Sequence, residues 1–433
     1  MARFLHVADV HLGFDRYNNR IRSQDFFKAF YDLLKIYAVD RKVDFVLIAG
    51  DLFEHRNIKP ATLNQAQVCL NLLAEAKIPV IAIEGNHDNR PYGTKTSWLR
   101  YLADWGSLIF LEPDSQDNGT VFLSPWDLDS RFGGYIDLDC GVRVIGTHWY
   151  GAVAPQAIKQ IAVAMNALPS GPPYTVTMLH HGLEGHVARY AGALRYEELL
   201  PLRDAGTDYL ALGHIHKNYS VENWIFNPGS IEANSIEESK YNRGIYLVTL
   251  NDLPNEKGVE AIFCQDYCQR SIVRLHLKLK GHELVDMVES AALSMVKQAI
   301  SEKKIDPKEE PIVELRITGR IGFERSDLDT RPLQLLLQKV SNALIFLLRY
   351  DVNTINYQSP LPEEENRIHI ETDVYADLIA GHAKYRNQTE LLAKSLCQLK
   401  ELHFQQESEP ALYQFVSQLL HQTIKDPLSH TQK

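Results

Sequence analysis

The chain has 433 residues, too many for a single hydrophobic core, so two or three domains are expected. Hydrophobic residues make up 45% and charged residues 23%, the balance of an ordinary soluble globular protein. A net charge of -10 excludes a uniformly basic nucleic-acid binder and leaves only a limited basic groove or the help of a partner.

The opening, MARFLHVADVHLG, has no long apolar stretch behind a basic region, so no signal peptide is expected. No apolar run reaches the roughly 18 residues of a membrane span. The five cysteines are scattered, and reduced thiols in a cytoplasmic protein are the expectation, with no membrane association.

In chain order, residues 4–8 (FLHVA) read as a short buried strand. A helix follows from Ser23 to Val39, with Phe26, Phe30, Leu33, Leu34 and Tyr37 on one face. DFVLIAGD (44–51) is a second strand. Pro60 opens a second helix carrying Leu63, Ala66, Leu70 and Leu73, and PVIAIEGN (79–86) is a third strand. This alternation predicts parallel strands with helices on their faces. Strands then dominate: SLIFLEP, GVRVIGTHW, YTVTMLHH, DYLALGHIH, NWIFNPGS and finally RGIYLVTL (243–250). A second, partly antiparallel sheet packed on the first is expected, forming an α/β sandwich over residues 1–265.

Residues 266–358 read as a small α+β domain with the order β-α-β-α-β. It has strands at 271–280 and 311–319, helices at Glu283–Ser301 and Pro332–Leu348, and strand-like 352–358. SPLPEEEN (359–366) reads as a linker and residues 367–433 as a helical tail.

The chemistry gathers at strand ends. The runs finish in Asp9-Val10-His11, Gly50-Asp51, Gly85-Asn86-His87-Asp88, His180-His181-Gly182 and Gly213-His214-Ile215-His216. Ligands of open α/β sheets sit beyond the carboxyl ends of the strands, so these clusters are expected to converge. In an extended segment, side chains at i and i+2 point the same way, which lets Asp9 with His11, and His214 with His216, reach one ion. Asp9, His11, Asp51, Asn86, His180, His214 and His216 are too many ligands for one ion and suit two ions sharing a carboxylate. A pair about 3.5–4 Å apart fits phosphoester hydrolysis. The mixed oxygen and nitrogen set suits manganese, iron or zinc and disfavours calcium. His6, His276 and His282 read as structural.

The order DxH, GD, GNHD, HHG, GHxH resembles the calcineurin-like metallophosphoesterase superfamily. ADVHLG, IAGDLFEHRNIKP, EGNHD, ALGHIHK and NPGSIE resemble its SbcD branch of DNA-repair nucleases. The fold implied is a two-sheet metallophosphoesterase sandwich flanked by helices, followed by the small cap and the helical tail. The resemblance implies one metal on Asp9, His11, Asp51 and His216, and another on Asp51, Asn86, His180 and His214, with Asp51 bridging. His181 is the alternative to His180. His87 is assigned to contact the phosphate and protonate the leaving oxygen. Glu54 is the candidate to orient it, Asp88 the competing one or else a cap of the following turn, and His55 a third group within reach.

Arg16, Tyr17, Asn18, Arg20 and Arg90 are candidate DNA contacts, because cations neutralise phosphate and rings stack on bases; Asn19 and Arg22 share that loop. His148, Trp149 and Tyr150 are candidates to line the cleft. The resemblance implies DNA as substrate, an SbcC-like SMC-type ATPase held by the tail, and a homodimer. The rival readings are a phosphatase or cyclic-nucleotide phosphodiesterase for small phosphoesters, and a non-catalytic scaffold.

Overall fold

Strands that are apolar on both faces must lie between other layers, and the chain up to Cys264 stacks them that way. The computed structural model describes residues 1–115, 120–186, 193–253, 256–354, 367–380, 385, 388–405 and 407–424. The chain starts with β1 (Ala2–Val7), α1 (Arg20–Leu33), β2 (Phe45–Ala49), α2 (Pro60–Glu75), β3 (Val80–Ile83), α3 (Trp98–Asp104) and β4 (Ile109–Phe110). A ribbon of β5 (Asp114–Ser115) and β6 (Val121–Phe122) leads to β7 (Tyr135–Leu138) and β8 (Val142–Ile145). Then come α4 (Ala154–Asn166), β9 (Tyr174–His180), α5 (Tyr196–Asp204), β10 (Tyr209–Gly213), β11 (Tyr219–Val221) and β12 (Ile225–Asn227). A hairpin of β13 (Ile245–Leu253) and β14 (Glu256–Cys264) follows.

The first sheet has the order β14-β13-β1-β2-β3-β4 and the second β11-β12-β10-β9-β8-β7. Strands β1 to β4 run parallel, with β13 antiparallel beside β1. In the second sheet β8, β9, β10 and β12 are parallel and the two edges antiparallel. Alternation along each strand sets the layers. Phe4, Phe45, Leu47 and Ile81 face Val144, Val176, Met178 and Tyr209 between the sheets. Their sequence neighbours Leu5, Val46, Ile48 and Ala82 pack outward with Phe30, Leu33, Ala66 and Leu70. Helices α4 and α5 cover the far face of the second sheet. Phe4 stacks on Phe45 at 4.8 Å and meets Tyr209 edge-on at 5.2 Å. The result is the expected α/β sandwich with helices outside.

Three boundaries differ from the sequence reading. Helix α1 begins at Arg20 rather than Ser23, because the Asn19 side chain caps it by accepting from Ile21 N at 2.9 Å. The strand expected over 243–250 runs on to Leu253 as β13 and forms a hairpin with β14. The helix expected over Pro332–Leu348 is α7 (Thr330–Ser341), and it stops where Asn342 turns left-handed at φ 49. The apolar run Ile345–Leu348, which periodicity assigned to that helix, instead starts β17 (Ile345–Thr354). With β15 (Ile272–Lys280), α6 (Val285–Ser301) and β16 (Ile312–Ile321), it completes a three-stranded sheet ordered β15-β16-β17.

The chain divides into two compact units, Met1–Gly319 with Ser326–Val352, and Arg320–Arg325 with Asn353–Lys433. The second contains α8 (Arg367–Ala380), α9 (Thr389–Phe404) and α10 (Glu409–Ile424), with Ala393 and Cys397 buried and Lys400 bonded to Glu371 at 2.6 Å. The stretch 359–366 lies outside the described residues. Among those described, no helix is long and apolar enough to cross a membrane.

Phe45 is wholly buried between the sheets. Phe45→Ala is expected to cost about 3–5 kcal/mol. Urea unfolding should show this as a lower midpoint at unchanged slope.

Candidate metal centre

The five motifs are laced together by their own backbones. Asp9 N bonds Gly50 O at 3.2 Å, and Val10 N and His11 N both bond Asp51 O, at 2.9 and 3.0 Å. His87 N donates to Asp51 Oδ1 at 2.8 Å. His214 N donates to both carboxylate oxygens of Asp9 at 3.0 Å. Strand ends far apart in sequence are thereby held at one place.

The geometry at Asp9 and His11 corrects the extended-segment argument. Both residues are left-handed, at φ 51, as are Asp51 at φ 53 and His214 at φ 82. Non-glycine residues there cost about 1–3 kcal/mol each, a strain that clusters where function requires a special direction. Asp9 and His11 therefore converge through two sharp turns, not through the two-residue repeat of a strand.

The glycines leave room that no other residue would. A Cβ on Gly85 would stand 2.1 Å from Asp51 Oδ1, and one on Gly50 (φ +91) 2.2 Å from His180 Nδ1.

Two groups of side chains result. In the first, His11 Nε2 lies 3.1 Å from His216 Nε2, with Asp9 Oδ1 4.0 Å from each. His216 donates its Nδ1 proton to Glu238 Oε1 at 3.0 Å, so in the neutral ring Nε2 presents a lone pair to the group. His11 Nδ1 sits 2.8 Å from Glu54 Oε2, but off the line of a hydrogen bond, and both atoms are buried without a hydrogen-bond partner. In the second, His180 Nε2 lies 3.2 Å from Asp51 Oδ2 and 3.2 Å from Asn86 Oδ1, and His214 Nδ1 lies 2.8 Å from the same Asn86 oxygen. His180 gives its Nδ1 proton to Ala49 O at 2.8 Å. With the rings neutral, lone pairs converge from rings, carboxylates and an amide oxygen, the donor set that fits divalent cations.

Burial favours neutral rings here, yet His180 is raised to about 9 by the Asp51 carboxylate against that burial. His216 is likewise raised to about 9, against its burial, by the Glu238 hydrogen bond and by Asp9. His214, buried and next to His180, falls to about 3. Burial pushes Asp9 up, whereas Asp51 drops despite its burial because His180 faces it.

Of the doubled histidines, His180 is the one in the group. His181 turns its nitrogens to the carbonyls of Gly151 and Gly182, at 3.1 and 3.2 Å. His87 gives its Nδ1 proton to the main-chain oxygen of Glu54 at 2.7 Å, so the peptide of Glu54 orients it, and the Glu54 carboxylate goes to His11. Asp88 is corrected to a brace. It accepts from Leu52 N, Phe53 N and Gly85 N at 3.0–3.1 Å, and no described contact joins it to His87. His55 is drawn away to Asp15, at 3.2 Å.

The candidate DNA loop is largely committed elsewhere. Arg16 donates to Asn234 O at 3.3 Å, and the Tyr17 hydroxyl accepts from Ile236 N at 3.2 Å. Arg22 is corrected from a loop contact to a core residue. It is fully buried, 2.7 Å from both Asp25 and Ala233 O, with the Phe26 ring at 5.3 Å. The Asn18 side chain lies outside the described residues. Arg20 and Arg90 are exposed. Arg90 and His148 line a cavity of about 310 Å³ beside the GNHD turn, together with Lys95 and Arg100. The sequence reading missed Glu238. It lies 22 residues beyond His216, and no motif spacing connects the two.

Residues 2–218 match the family model of the calcineurin-like phosphoesterases. The chain is 43% identical over 252 residues to the DNA double-strand break repair protein Mre11 of Methanosarcina mazei, across 58% of this chain and 36% of that protein. It is 46% identical over 86 residues to the Archaeoglobus fulgidus protein of the same name, 20% of this chain and 19% of that one. Against the Sulfolobus acidocaldarius protein of that name the identity is 23% over 399 residues, 90% and 93% of the two chains. The chain thus spans about a third of the Methanosarcina protein's length and about a fifth of the Archaeoglobus one's.

Without cations, the raised His180 and His216 add stability that is fully present below about 6.5, their ordinary value, and is lost as pH rises through about 9. As cation ligands, both rings would have to lose a proton. Cation affinity is therefore expected to climb across that window, with protons released on binding. Calorimetric titration in buffers of different ionisation enthalpy measures the release, and a pH-independent affinity would contradict it.

Proposed function

The chain belongs to the calcineurin-like phosphoesterase family, and from that premise we propose that it is a two-metal phosphodiesterase that cleaves DNA, a nuclease of the SbcD and Mre11 type. The observation that carries this reading is the convergence of seven Asp, Asn and His side chains into two adjoining groups. The family uses divalent metals. The assignment proposed is Asp9, His11, Asp51 and His216 to one cation and Asp51, Asn86, His180 and His214 to the other, with Asp51 shared. Manganese is the proposed metal, and iron and zinc suit the same donors. When bound, a cation pair stabilises both the attacking and the leaving oxygen of phosphoryl transfer.

The protein's own groups would do the remaining work. His87 stands between the two kinds of residue, with its backbone N–H on Asp51 and its ring against His11 at 5.0 Å. With Nδ1 tied to the Glu54 carbonyl, its Nε2 is free to hold a proton for the departing oxygen. Arg20 and Arg90, both exposed, would meet phosphates. The sheet β15-β16-β17 would cap the cleft and favour DNA over small phosphoesters. The helices α9 and α10 would present apolar faces to the coiled-coil base of an SMC-type ATPase, and a homodimer is proposed on the same family grounds.

Manganese-dependent hydrolysis of labelled single- and double-stranded DNA, beside a nucleotide monoester, tests the reading. DNA cleavage is expected, and its loss in Asp51→Ala. Activity confined to the monoester would replace the reading with that of a small-molecule phosphatase.

His87→Ala is expected to slow DNA turnover by about 100–10,000-fold. Cation affinity should persist, because the ring belongs to neither proposed ligand set. Single-turnover kinetics with parallel calorimetry separates the two effects. Unchanged turnover would remove His87 from the chemistry.

A further inference from the structure

We propose that Glu238 is a positioning residue for His216, and that residues 232–238 form a braced arm whose purpose is to deliver its carboxylate. The inference rests on the reading of His216 as a cation ligand.

A histidine that binds a cation through Nε2 must keep its proton on Nδ1 and hold its ring at one angle. A carboxylate on Nδ1 does both and makes the ring more basic. Glu238 is placed for that task, with Oε1 3.0 Å from His216 Nδ1. Its other oxygen, Oε2, accepts from Asn234 N at 2.8 Å, so the carboxylate cannot swing away without breaking a second bond. Only 17% of its side chain is exposed. A casual surface ion pair would have neither feature.

The arm itself is fixed from two directions. On the nuclease side, the buried Arg22 holds Ala233 O, and the Tyr17 hydroxyl holds Ile236 N. On the other side, Ile236 is 1% exposed and packs with Ile312 and Ile345 of the three-stranded sheet. Tyr17 adopts φ 68, a conformation costly for an aromatic residue, while its hydroxyl meets the arm. The loop after the first motif thus spends its aromatic side chain on the arm that aims Glu238.

The experiment is calorimetric titration of the metal-free, full-length protein with manganese, on the parent chain and on Glu238→Ala, Glu238→Gln and His216→Ala. Glu238→Ala is expected to bind one cation about 10–100-fold more weakly and the other unchanged. Glu238→Gln should bind better than Glu238→Ala but below the parent, because its amide oxygen still accepts the Nδ1 proton while its NH2 replaces the oxygen that accepted from Asn234 N, a partial rescue that a merely space-filling role would not require. Cadmium NMR of the loaded proteins should shift one of two resonances in Glu238→Ala and leave the other. Thermal melting of the metal-free variants identifies any loss due to misfolding, and Glu238→Gln, the milder change, then carries the test: an affinity equal to that of Glu238→Ala would overturn the inference. Parental affinity in Glu238→Ala, together with loss of a cation in His216→Ala, would overturn it while leaving the metal centre standing. Parental affinity in His216→Ala would overturn both.

Discussion

Asp51 and His180 approach to 3.2 Å at a point where three strand ends come so close that a single methyl group on Gly50 or Gly85 would collide with one of them. A buried carboxylate against a buried ring is tolerable only if charge is balanced locally, because isolated charges lose several kcal/mol of hydration in such a setting. Without cations the balance comes from protons on His180 and His216. With cations it would come from the metal. The remaining features of the centre follow from that requirement: glycines to make room, left-handed turns to redirect side chains, and a carbonyl behind His180 and a carboxylate behind His216 to fix the second nitrogen of each ring.

The sandwich supplies the rigidity this demands. Strands buried on both faces cannot slip register without driving an entire set of apolar side chains into the wrong layer. The register Phe4 to Phe45 and Val46 to Val80 therefore also determines where Asp9, Asp51 and Asn86 emerge. Hydrogen bonds from Val10 and His11 to Asp51 O extend that register past the last ladder pair into the site. The backbone strain at Asp9, His11, Asp51 and His214 is borne by this frame.

Around the candidate ligands lies a further layer that divides the labour of single residues. Glu54 serves two histidines at once, its peptide oxygen to His87 and its carboxylate to His11. Asp88 keeps the turn of the third motif closed on the second by gathering three amides. Arg22, whose composition suggested a cation for phosphate, is the centre of a buried ionic cluster with Asp25 and Glu232, at 2.7 and 3.6 Å. Arg243 and Arg270 complete that cluster through Glu232 and Asp25. A buried guanidinium of this kind holds neighbouring segments together and is unavailable to DNA.

The candidate ligands were legible in the sequence because each ends an apolar strand, and strand ends of a parallel sheet share one side of the molecule. The alternation of strands and helices through β4 was legible for the same reason, and so was the helical character of the tail. Periodicity could not separate Ile345–Leu348 from the helix before it, since a short apolar run suits either element and only the left-handed turn at Asn342 decides. The partners of the ligands were likewise hidden. Glu238 finds His216, Tyr17 finds Ile236, and Ala49 O finds His180 only after the two sheets have packed. What the sequence alone determined was which Asp, Asn and His side chains stand at the strand ends, because that depends on local residue type and strand boundaries. Which carboxylate or carbonyl steadies each of them was decided by the tertiary structure, because those contacts join segments whose separation along the chain carries no periodic signal.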